Sequence, residues 1–517
     1  MRKEVNDSKN PNALVIGSGF GGLAAAIRLQ ARGYQTQVFE RLDQGGGRAS
    51  VFKQDGFIFD AGPTIITAPF LLEELWAICG RKFSNYVSLK KMDPFYRIRF
   101  DDGEFFDYSG EPEKMKAQIA KFCPEEVEQY EEFMKKAELC YKLGYEDLGN
   151  LPYNSFKDLL ISIPSMFRME AWQSIFSLVS KFFKNEKLRQ VFSFHPLLIG
   201  GNPSSVTCVY SLIAALERRY GVYSAIGGTG AIVKAMIDLY IDIGGKITYG
   251  AEVKKIDVDN NCVQGIILKD GRSFKSETVI SNADTAWTYT NLIDKKHRKK
   301  WTDKKINKRH FSMGLFVWYF GTKKIYPEVE HHTILLGKKY LPLLDEIFIK
   351  KTLSDDFSLY LHRPTATDKN LAPDGSDTFY VLSPVPNLLG KIDWSKEKEN
   401  YKERILSYLE RTVLPGLRKS ITTSKILTPE DFKSRYLAFN GAAFGMEPIL
   451  LQSAWFRPHN KSEDIEGLYM VGASTHPGAG IPGVLTSAKL LDKVIPDVPQ
   501  RKQLADKKVE EGIYGNI

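Results

Sequence analysis

The run Ala13-Leu14-Val15-Ile16-Gly17-Ser18-Gly19-Phe20-Gly21-Gly22 decides the fold of this chain. Its four leading apolar residues predict a buried strand, its glycines predict a tight turn, and residues 23–32 predict a helix that Gly33 ends. A second strand is predicted over residues 35–40. Strand, glycine turn, helix and strand in this order indicate the βαβ unit of a Rossmann-like α/β fold.

The spacing of the glycines indicates a dinucleotide site. Gly17 allows the tight turn, Gly19 lets the backbone approach a pyrophosphate, and Gly22 lets the helix pack closely on the strand. The free N–H groups at the start of the helix would attract the phosphates. The carboxylate of Glu40, at the end of the second strand, can accept hydrogen bonds from ribose hydroxyls and would repel a 2′-phosphate, which disfavours NADP.

Two further glycine-rich segments favour FAD over NAD. The first is Gly45-Gly46-Gly47-Arg48-Ala49, where the guanidinium of Arg48 can bind phosphate oxygens; a flexible surface loop is the alternative interpretation. The second runs from Gly472 to Gly483, between a strand predicted over 468–471 and a helix predicted over 483–494. A second helix N-terminus directed at the cofactor would stabilise negative charge that develops on a flavin ring.

Length, charge and composition restrict the class of protein. With 517 residues, 43% of them hydrophobic, the chain is long enough for a module with at least two subregions. The formal charge of +9 is small for this length and its excess is local, which argues against a nucleic-acid partner. The five cysteines are scattered, so neither a disulfide framework nor a metal site is predicted. Because no apolar run is long enough to span a membrane, we expect a cytoplasmic or peripheral protein.

The middle of the chain also contains predicted strand and helix units. A helix is predicted over 230–243, and three short strands are predicted over 246–249, 253–258 and 263–269. Such units at the start, middle and end predict one nucleotide-binding layer built from distant pieces, within an α/β fold that carries α+β insertions. The predicted module spans residues 11–496, with FAD-binding pieces 11–70, 226–295 and 460–496, substrate-binding or helical pieces 71–225 and 296–459, and a flexible tail at 497–517.

Several segments resemble a known family, the bacterial-type phytoene desaturases, within the larger group of FAD-dependent amine oxidases and carotenoid desaturases. The run His476-Pro477-Gly478-Ala479-Gly480-Ile481-Pro482-Gly483 looks characteristic of carotenoid desaturases. Phe59-Asp60-Ala61-Gly62-Pro63-Thr64 and Gly227-Gly228-Thr229-Gly230 also match. The other matching segments are 15–24, 192–203, 357–362, 452–460 and the remainder of 472–484, so the resemblance covers nearly the whole chain.

The resemblance implies FAD as the cofactor and a set of residues that contact it. It also implies a discontinuous substrate-binding region and a helical subdomain that could contact a membrane. The implied FAD contacts are Gly17, Ser18, Gly19, Gly22, Glu40, Arg41, Gly47, Arg48, the backbone at Val253, Gly472, Ala473, Ile481 and Pro482.

The family inserts double bonds into a long polyene, which implies hydride transfer from an allylic carbon to flavin and proton loss from the neighbouring carbon. A quinone or oxygen would then take the electrons. The protein would mainly supply orientation and a tunnel that excludes water. The sequence shows neither paired carboxylates nor a catalytic triad, so it does not predict a general base. His476 is the one predicted catalytic residue, and a turn histidine that shapes the backbone is the alternative.

A polyene is insoluble in water, so the enzyme would collect it from a bilayer, and two segments could contact the membrane surface. One is an apolar helical stripe from Trp172 to Phe183, for which packing into the core is the alternative. The other is the basic run from Lys295 to Arg309, in which Trp301 would lie in the headgroup layer; a solvated basic helix is the alternative. Neutralising these lysines is then expected to release the protein from anionic liposomes.

Two other functions fit the same motifs. A related flavoenzyme, such as a C30 carotenoid desaturase, a carotenoid isomerase or an oxidase, would share the residues at the flavin, and only analysis of the product separates these activities. A non-catalytic protein that binds a prenyl lipid would keep the glycine turns in degraded form, whereas all three glycine segments are intact here. An amine oxidase is disfavoured because nothing in the sequence indicates a charged substrate.

Overall fold

The computed structural model describes residues 12–498, so the predicted tail lies outside the described residues from 499 onward. Within the described part, the strands are β1 (Asn12–Ile16), β2 (Gln35–Phe39), β3 (Val51–Gln54), β4 (Phe57–Asp60), β5 (Leu89–Lys91), β6 (Tyr96–Arg99), β7 (Phe105–Tyr108), β8 (Tyr223–Ala225), β9 (Lys246–Thr248), β10 (Val253–Asp259), β11 (Cys262–Leu268), β12 (Ser273–Lys275), β13 (Val279–Ser281), β14 (Gly314–Thr322), β15 (His332–Leu335), β16 (Leu359–His362), β17 (Asp377–Val385), β18 (Ile421–Leu427) and β19 (Leu468–Met470).

The α-helices of the described part range from single turns to the 19 residues of the longest one. They are α1 (Phe20–Ala31), α2 (Pro69–Ala77), α3 (Pro112–Phe122), α4 (Gln129–Cys140), α5 (Phe156–Met169), α6 (Ile175–Phe182), α7 (Glu186–Ser193), α8 (Leu212–Tyr220), α9 (Thr229–Asp242), α10 (Thr285–Trp287), α11 (Asp303–Asn307), α12 (Tyr340–Asp345), α13 (Trp394–Thr412), α14 (Leu417–Ser420), α15 (Pro429–Tyr436) and α16 (Ile481–Lys489).

A five-stranded sheet in the order β19-β13-β1-β2-β9 carries the glycine turn, and all its neighbouring strands run parallel. Its strands come from the start, the middle and the end of the chain. Ala13 and Val15 pack into the core on the α1 side, whereas Leu14 and Ile16 pack with Ile256 of the small sheet β10-β11-β12. Both faces of β1 are therefore buried, which explains why its sequence is a continuous apolar run.

The predicted elements of this layer are present, with shifted ends. The first helix begins at Phe20, three residues before the predicted start, directly after the turn. The last helix begins at Ile481 and ends at Lys489, where 483–494 was predicted. It starts earlier because Gly480, with φ of +90°, ends the turn and Pro482 fits the first helical turn, where its missing N–H costs no hydrogen bond.

A seven-stranded sheet, in the order β18-β14-β17-β16-β15-β6-β7, forms the second layer. Its strands pair antiparallel except for β15 and β6. Strand β14, next to the edge strand β18, is buried along its whole length. Phe316 and Trp318 pack with residues of α13 on one face, while Leu315 and Val317 lie on the face that belongs to the main core. This second face looks toward the cavity described below.

The predicted position of Trp301 in a lipid headgroup layer is wrong. Trp301 is 2% exposed and stacks with Tyr289, with ring centroids 6.1 Å apart. Its indole N–H donates to the carboxylate of Glu463, and the ammonium of Lys305 lies 3.9 Å from its ring centroid. A single sequence does not distinguish an aromatic anchor from a core residue, and here the surrounding acceptor and aromatic ring stabilise the buried position.

The apolar stripe from Trp172 to Phe183 packs mainly inward. The helix of this segment, α6, begins only at Ile175, and Ile175, Val179 and Phe183 are fully buried. Phe183 stacks on Phe192, with ring centroids 4.4 Å apart. These residues therefore pack into the core, which was the alternative interpretation of the stripe. Trp172 is 59% exposed and lies outside the helix.

No helix among residues 12–498 has the length and the apolar character needed to cross a bilayer.

Candidate functional site

A cavity of about 530 Å³ lies between the parallel sheet, the seven-stranded sheet and the helices α5 and α8. One part of its wall is glycine-rich backbone from the ends of parallel strands, where ligands bind in open α/β sheets. The rest is predominantly apolar. The apolar wall includes Leu197, Leu198, Ile213, Leu216, Leu315, Val317 and Leu382.

The glycine turn after β1 has the backbone geometry that its sequence requires. Gly17 adopts a φ of +89°, a conformation that residues with a Cβ rarely take. A Cβ on Gly22 would lie 2.0 Å from the carbonyl oxygen of Gly17, so only glycine lets α1 approach the strand this closely. Gly19 precedes α1 and no side chain caps its first turn. The N–H groups of the first turn of α1 are thus available to an anionic ligand.

Glu40 holds the turn from the neighbouring strand end. One carboxylate oxygen accepts hydrogen bonds from the N–H and the hydroxyl of Ser18, at 2.8 and 2.7 Å. The other accepts from the N–H of Leu42 at 2.9 Å. Arg41 donates instead to the carbonyls of Ser434 and Arg435. The carboxylate of Glu40 therefore both positions the turn and faces the cavity.

The second glycine segment brings Arg48 to the cavity wall beside Gly47. Burial lowers the pKa of the Arg48 guanidinium, and nearby Asp284 opposes that shift. The Nε of Arg48 is buried without a hydrogen-bond partner within the described residues. A buried donor of this kind implies an acceptor that the protein itself does not supply, which fits a phosphate-bearing cofactor.

The third glycine segment, 472–483, is held by a residue that the sequence did not single out for the cofactor site. The Arg457 side chain is almost fully buried, and it donates to the carbonyls of Ala473, Thr475 and Met446 at 2.8, 3.1 and 3.1 Å. Asn282 was also missed. A Cβ on Gly19 or Gly21 would lie 2.8 or 2.6 Å from the side-chain amide of Asn282, which fills the space between the first and third segments.

His476 lies in the third segment, lines the cavity and is 3% exposed. Its ring meets the ring of Tyr153 edge-to-face, with centroids 4.9 Å apart. Burial lowers the pKa of His476 to about 3, and His459 and Arg457 add to this shift. The imidazole is therefore neutral at ordinary pH. Its catalytic role stays a prediction.

Most of the predicted contact residues meet in this one cavity. Ser18 and Gly22 do not line it but fix the turn through Glu40 and through helix packing. That these residues bind FAD stays a prediction, as do the domain boundaries. The predicted residues that line the cavity are Gly17, Gly19, Glu40, Arg41, Gly47, Arg48, Val253, Gly472, Ala473, His476, Ile481 and Pro482.

Glu217 is a cavity-lining residue that no sequence pattern had indicated. It lies on α8, and its side chain is fully buried. In the sequence it stands beside Arg218 and Arg219 and resembles part of a solvated helix face. Its burial depends on contacts between distant segments, which periodicity does not reveal.

His331, His332 and His362 form a buried cluster at β15 and β16, and one ring nitrogen from each lies within 4.8 Å of the others. This spacing could hold a metal ion. The rings already contact protein atoms: the Nε2 atoms of His331 and His362 are 3.1 Å apart, and Nδ1 of His332 lies 2.6 Å from the hydroxyl of Tyr360. Burial lowers the pKa of His331 to about 3. No sequence motif had indicated this cluster.

Comparison with known proteins agrees with this geometry. The family model for flavin containing amine oxidoreductases matches residues 20–490. An oxidoreductase structure from Methanosarcina mazei superposes with a TM-score of 0.63 at 20% identity, covering 93% of this chain and 100% of that one. That similarity concerns the fold. The chain is an FAD-dependent oxidoreductase and belongs to the flavin containing amine oxidoreductase family.

Within this family, the chain belongs to the bacterial-type phytoene desaturases. It is 48% identical to a neurosporene-forming phytoene desaturase of Rhodobacter capsulatus over 494 residues, 94% of each chain. It is 46% identical to a lycopene-forming phytoene desaturase of Pantoea ananas over 476 residues, covering 92% of this chain and 97% of the relative.

Proposed function

We propose that this protein is a carotenoid desaturase that uses FAD to introduce double bonds into phytoene or a closely related polyene. One observation carries the proposal: the glycine-rich wall and the apolar wall belong to one continuous cavity. A hydrocarbon chain in the apolar part would therefore lie beside the flavin. The similar phytoene desaturases from two bacteria support the choice of phytoene.

The residues at the glycine-rich wall fit FAD. The uncapped first turn of α1 and the buried Nε of Arg48 would bind the pyrophosphate, and Glu40 would bind the ribose hydroxyls. The 472–483 segment, held by Arg457, would lie at the flavin ring. When bound, FAD supplies a two-electron oxidant that accepts a hydride. The chain itself orients the polyene and excludes water.

Production of the protein in a host that accumulates phytoene tests this function. We expect coloured polyenes with more conjugated double bonds than phytoene in the extracted pigments. A matched culture that produces the Gly22→Ala variant should keep phytoene unchanged, because that variant cannot form the cofactor turn. Unaltered phytoene in the presence of FAD-loaded wild-type protein would refute the proposal. Isomerised phytoene without new double bonds would instead support the isomerase alternative.

We further propose that α5 places the cavity against a membrane. Residues Leu159, Ser162, Met166 and Met169, three or four positions apart, line the cavity from one face of this helix. A neighbouring face of the same helix carries exposed apolar side chains. These are Phe156, Leu160, Ile163 and Phe167, and Ile161 is exposed beside them.

The surroundings of α5 support a membrane contact. Trp172 lies against Phe167, and Trp455 lies against Phe156. Leu451 is 62% exposed, and its carbonyl accepts a hydrogen bond from Arg309 in the basic run. An apolar surface with cations at its edge suits the boundary between acyl chains and anionic headgroups. A polyene could then pass from the bilayer into the cavity without crossing water.

The electron acceptor is proposed to be a quinone or oxygen. A membrane-bound protein would meet a lipid-soluble quinone in the same bilayer as the polyene, which favours the quinone. Under anaerobic conditions, the reduced protein should be reoxidised on addition of a quinone in vesicles. Reoxidation by oxygen alone would support the other acceptor.

A further inference from the structure

Three buried histidines meet behind Tyr360, a residue of the cavity wall. His332 and His362 lie directly opposite each other in the antiparallel pair β15-β16, so their side chains share one face of the sheet. His331 directly precedes β15, and its ring meets the ring of His332 edge-to-face, with centroids 4.4 Å apart. One nitrogen from each ring lies within 4.8 Å of the other two. Strand pairing thus brings together residues that are 30 positions apart in the sequence.

Two of the rings are held by hydroxyl groups at their Nδ1 atoms. Nδ1 of His331 lies 2.6 Å from the hydroxyl of Thr367, which donates to the sulfur of Met92 and therefore accepts from His331. Nδ1 of His332 lies 2.6 Å from the hydroxyl of Tyr360. In metal-binding histidines, one ring nitrogen is held by a second group of this kind and the other binds the metal. The Nε2 atoms of both rings are therefore the candidate ligand atoms.

Two ring nitrogens of the cluster have no hydrogen-bond partner within the described residues. They are Nε2 of His332 and Nδ1 of His362, and each of these side chains is only 1% exposed. A buried polar atom without a partner is costly and calls for an explanation, such as an ion that satisfies it. Burial lowers the pKa of all three histidines, so each ring is neutral and offers one lone pair. A metal ion requires ligands in this neutral state.

The separation of the nitrogens and their chemistry both suit zinc. Two nitrogen ligands of a tetrahedral zinc ion, each about 2.0–2.1 Å from the metal, are about 3.3 Å apart. The Nε2 atoms of His331 and His362 are 3.1 Å apart. The group found among residues 12–498 contains imidazoles and no carboxylate, which favours zinc over magnesium or calcium, since these two ions prefer oxygen ligands.

The charges around the cluster favour a negative fourth ligand. Burial, and after it the positive charges of Lys90 and Arg363, lower the pKa of His331 to about 3. Arg363 is paired with the carboxylate of Asp377 at 2.9 Å, which compensates its charge. A dication held by three neutral rings would still need compensation in this buried position. Zinc lowers the pKa of a bound water to about 7, so a hydroxide can supply the negative charge.

We propose that His331, His332 and His362 bind a zinc ion, with a water or hydroxide as the fourth ligand. The ion would join the start of β15 to the end of β16. With Nε2 of His332 on the metal, Nδ1 would donate to Tyr360, whose hydroxyl lies 2.9 Å from that of Thr64 on the cavity wall. Zinc would thereby position these two hydroxyls. The inference goes beyond the proposed function, because zinc has no redox chemistry and takes no part in hydride transfer.

Metal analysis of the untagged, FAD-loaded protein tests the proposal. After growth in medium supplied with zinc and gel filtration in metal-free buffer, we expect about one zinc ion per chain. His332→Gln and His362→Gln should each lower the zinc content at least tenfold while FAD is retained, because each removes one of three ligands. A zinc content below about a tenth of an ion per chain in the wild type, or unchanged zinc in both variants, would overturn the proposal.

His459→Gln is the matched control. His459 is also buried, but its Nε2 lies 2.9 Å from the carbonyl oxygen of Trp455, outside the cluster. This variant should keep its zinc. Loss of zinc equal to that of the cluster variants would show that replacing any buried histidine releases the metal, and would overturn the assignment to this cluster.

Cobalt substitution of the wild type decides the question if the cluster variants do not fold. Protein grown with Co²⁺ in place of zinc should absorb at wavelengths longer than the flavin band, as tetrahedral Co²⁺ does, and added zinc should remove this absorbance. Absence of the absorbance in protein that contains cobalt would overturn the proposal. Zinc-loaded protein that leaves phytoene unchanged would refute the proposed function alone, since metal content is measured without turnover.

Discussion

At the scale of single residues, a very close backbone approach lies at Gly22, next to the glycine-rich wall of the cavity. The α1 helix meets β1 there with no room for a methyl group, since a Cβ would lie 2.0 Å from a backbone oxygen. The neighbouring turn is fixed by the carboxylate of Glu40. These contacts set the position of the first helical turn, on which the proposed phosphate binding would depend.

Gly22→Ala is expected to lower the free energy of unfolding by about 2–3 kcal/mol, because backbone must move to admit the methyl group. It should also abolish the flavin absorbance of the purified protein. Gly45→Ala is the matched control, since a Cβ there would meet side-chain atoms and no backbone: the flexible end of Ile237 at 2.7 Å and the hydroxyls of Ser18 and Tyr249 at 3.4 and 3.5 Å. If Gly22→Ala retained flavin as well as Gly45→Ala does, the close approach would not matter for the cofactor.

The buried His476 gives the protein a dependence of stability on pH. The pKa of His476 is about 3 in the folded protein and 6.5 when exposed, so between these values unfolding takes up a proton and stability falls as the pH falls. From pH 7.5 to pH 5, His476→Asn should lose about 2 kcal/mol less stability than the wild type. Urea unfolding of the FAD-loaded proteins at both pH values measures this, and equal losses would contradict the buried, neutral state.

Residue-level prediction from the sequence succeeded where local backbone geometry decides the outcome. The glycines at 17, 19 and 22 and the strands that flank them are constrained within a few residues of each other. It failed for Trp301 and Glu217. An aromatic residue in a basic run and a glutamate beside two arginines both have the pattern of surface residues, and only contacts with distant segments bury them.

At the scale of elements, α5 and α6 show why apolar periodicity alone does not locate a membrane surface. The stripe on α6 packs into the core, whereas α5 has apolar residues on both its cavity-lining and its exposed face. Phe167 is 65% exposed although it is among the largest apolar side chains of α5. Whether an apolar face packs into the core or stays exposed depends on which helix the rest of the fold covers. The sequence of the helix alone does not contain this information.

We expect replacement of Phe156 and Phe167 by serine to weaken binding to vesicles at least tenfold, because each phenylalanine contributes apolar area to the bilayer contact. The control replaces Ile349 and Leu389 by serine. These two residues are exposed to a similar extent as the two phenylalanines but lie outside α5. Co-sedimentation with phosphatidylcholine vesicles measures the effect. Equal binding by both double variants would exclude α5 as the contact.

Neutralisation of Lys304, Lys305 and Lys308 tests the basic run separately. Replacement by glutamine should weaken binding to anionic vesicles, by about 1 kcal/mol for each cation that contacts the surface, and leave binding to neutral vesicles unchanged. Lys305 should contribute less than the other two, because it is partly buried over Trp301 and burial lowers its pKa. Unchanged binding to anionic vesicles would leave the basic run as a solvated helix.

At the scale of the whole molecule, one parallel sheet joins the start, the middle and the end of the described chain. A buried cation reinforces this closure: Arg28 of α1 contacts Glu74 of α2 at 3.0 Å and Asp492, after α16, at 2.8 Å. The glycine segments in the sequence predicted the layer that contains this parallel sheet. The order of its strands, and the large insertions that cover the cavity, depend on long-range pairing that no local pattern specifies.

Arg28→Met should lower the free energy of unfolding by about 2 kcal/mol, since it leaves two partly buried carboxylates without their shared partner. Lys135→Met is the control, because the pair that it breaks with Glu132 is exposed and should contribute less than about 1 kcal/mol. Urea unfolding midpoints compare the two. If both changes had the same effect, Arg28 would not join the two ends of the fold.

The position of β19 at one edge of the parallel sheet has a consequence for biosynthesis. A ribosome adds roughly 5–20 residues per second, so tens of seconds separate synthesis of the first glycine turn from synthesis of the strand that completes the sheet. During that time the Gly17 turn has no 472–483 segment opposite it. We therefore expect flavin capture to be a late event in the life of each new chain, and until then the apolar cavity wall lacks its final cover and is prone to aggregation.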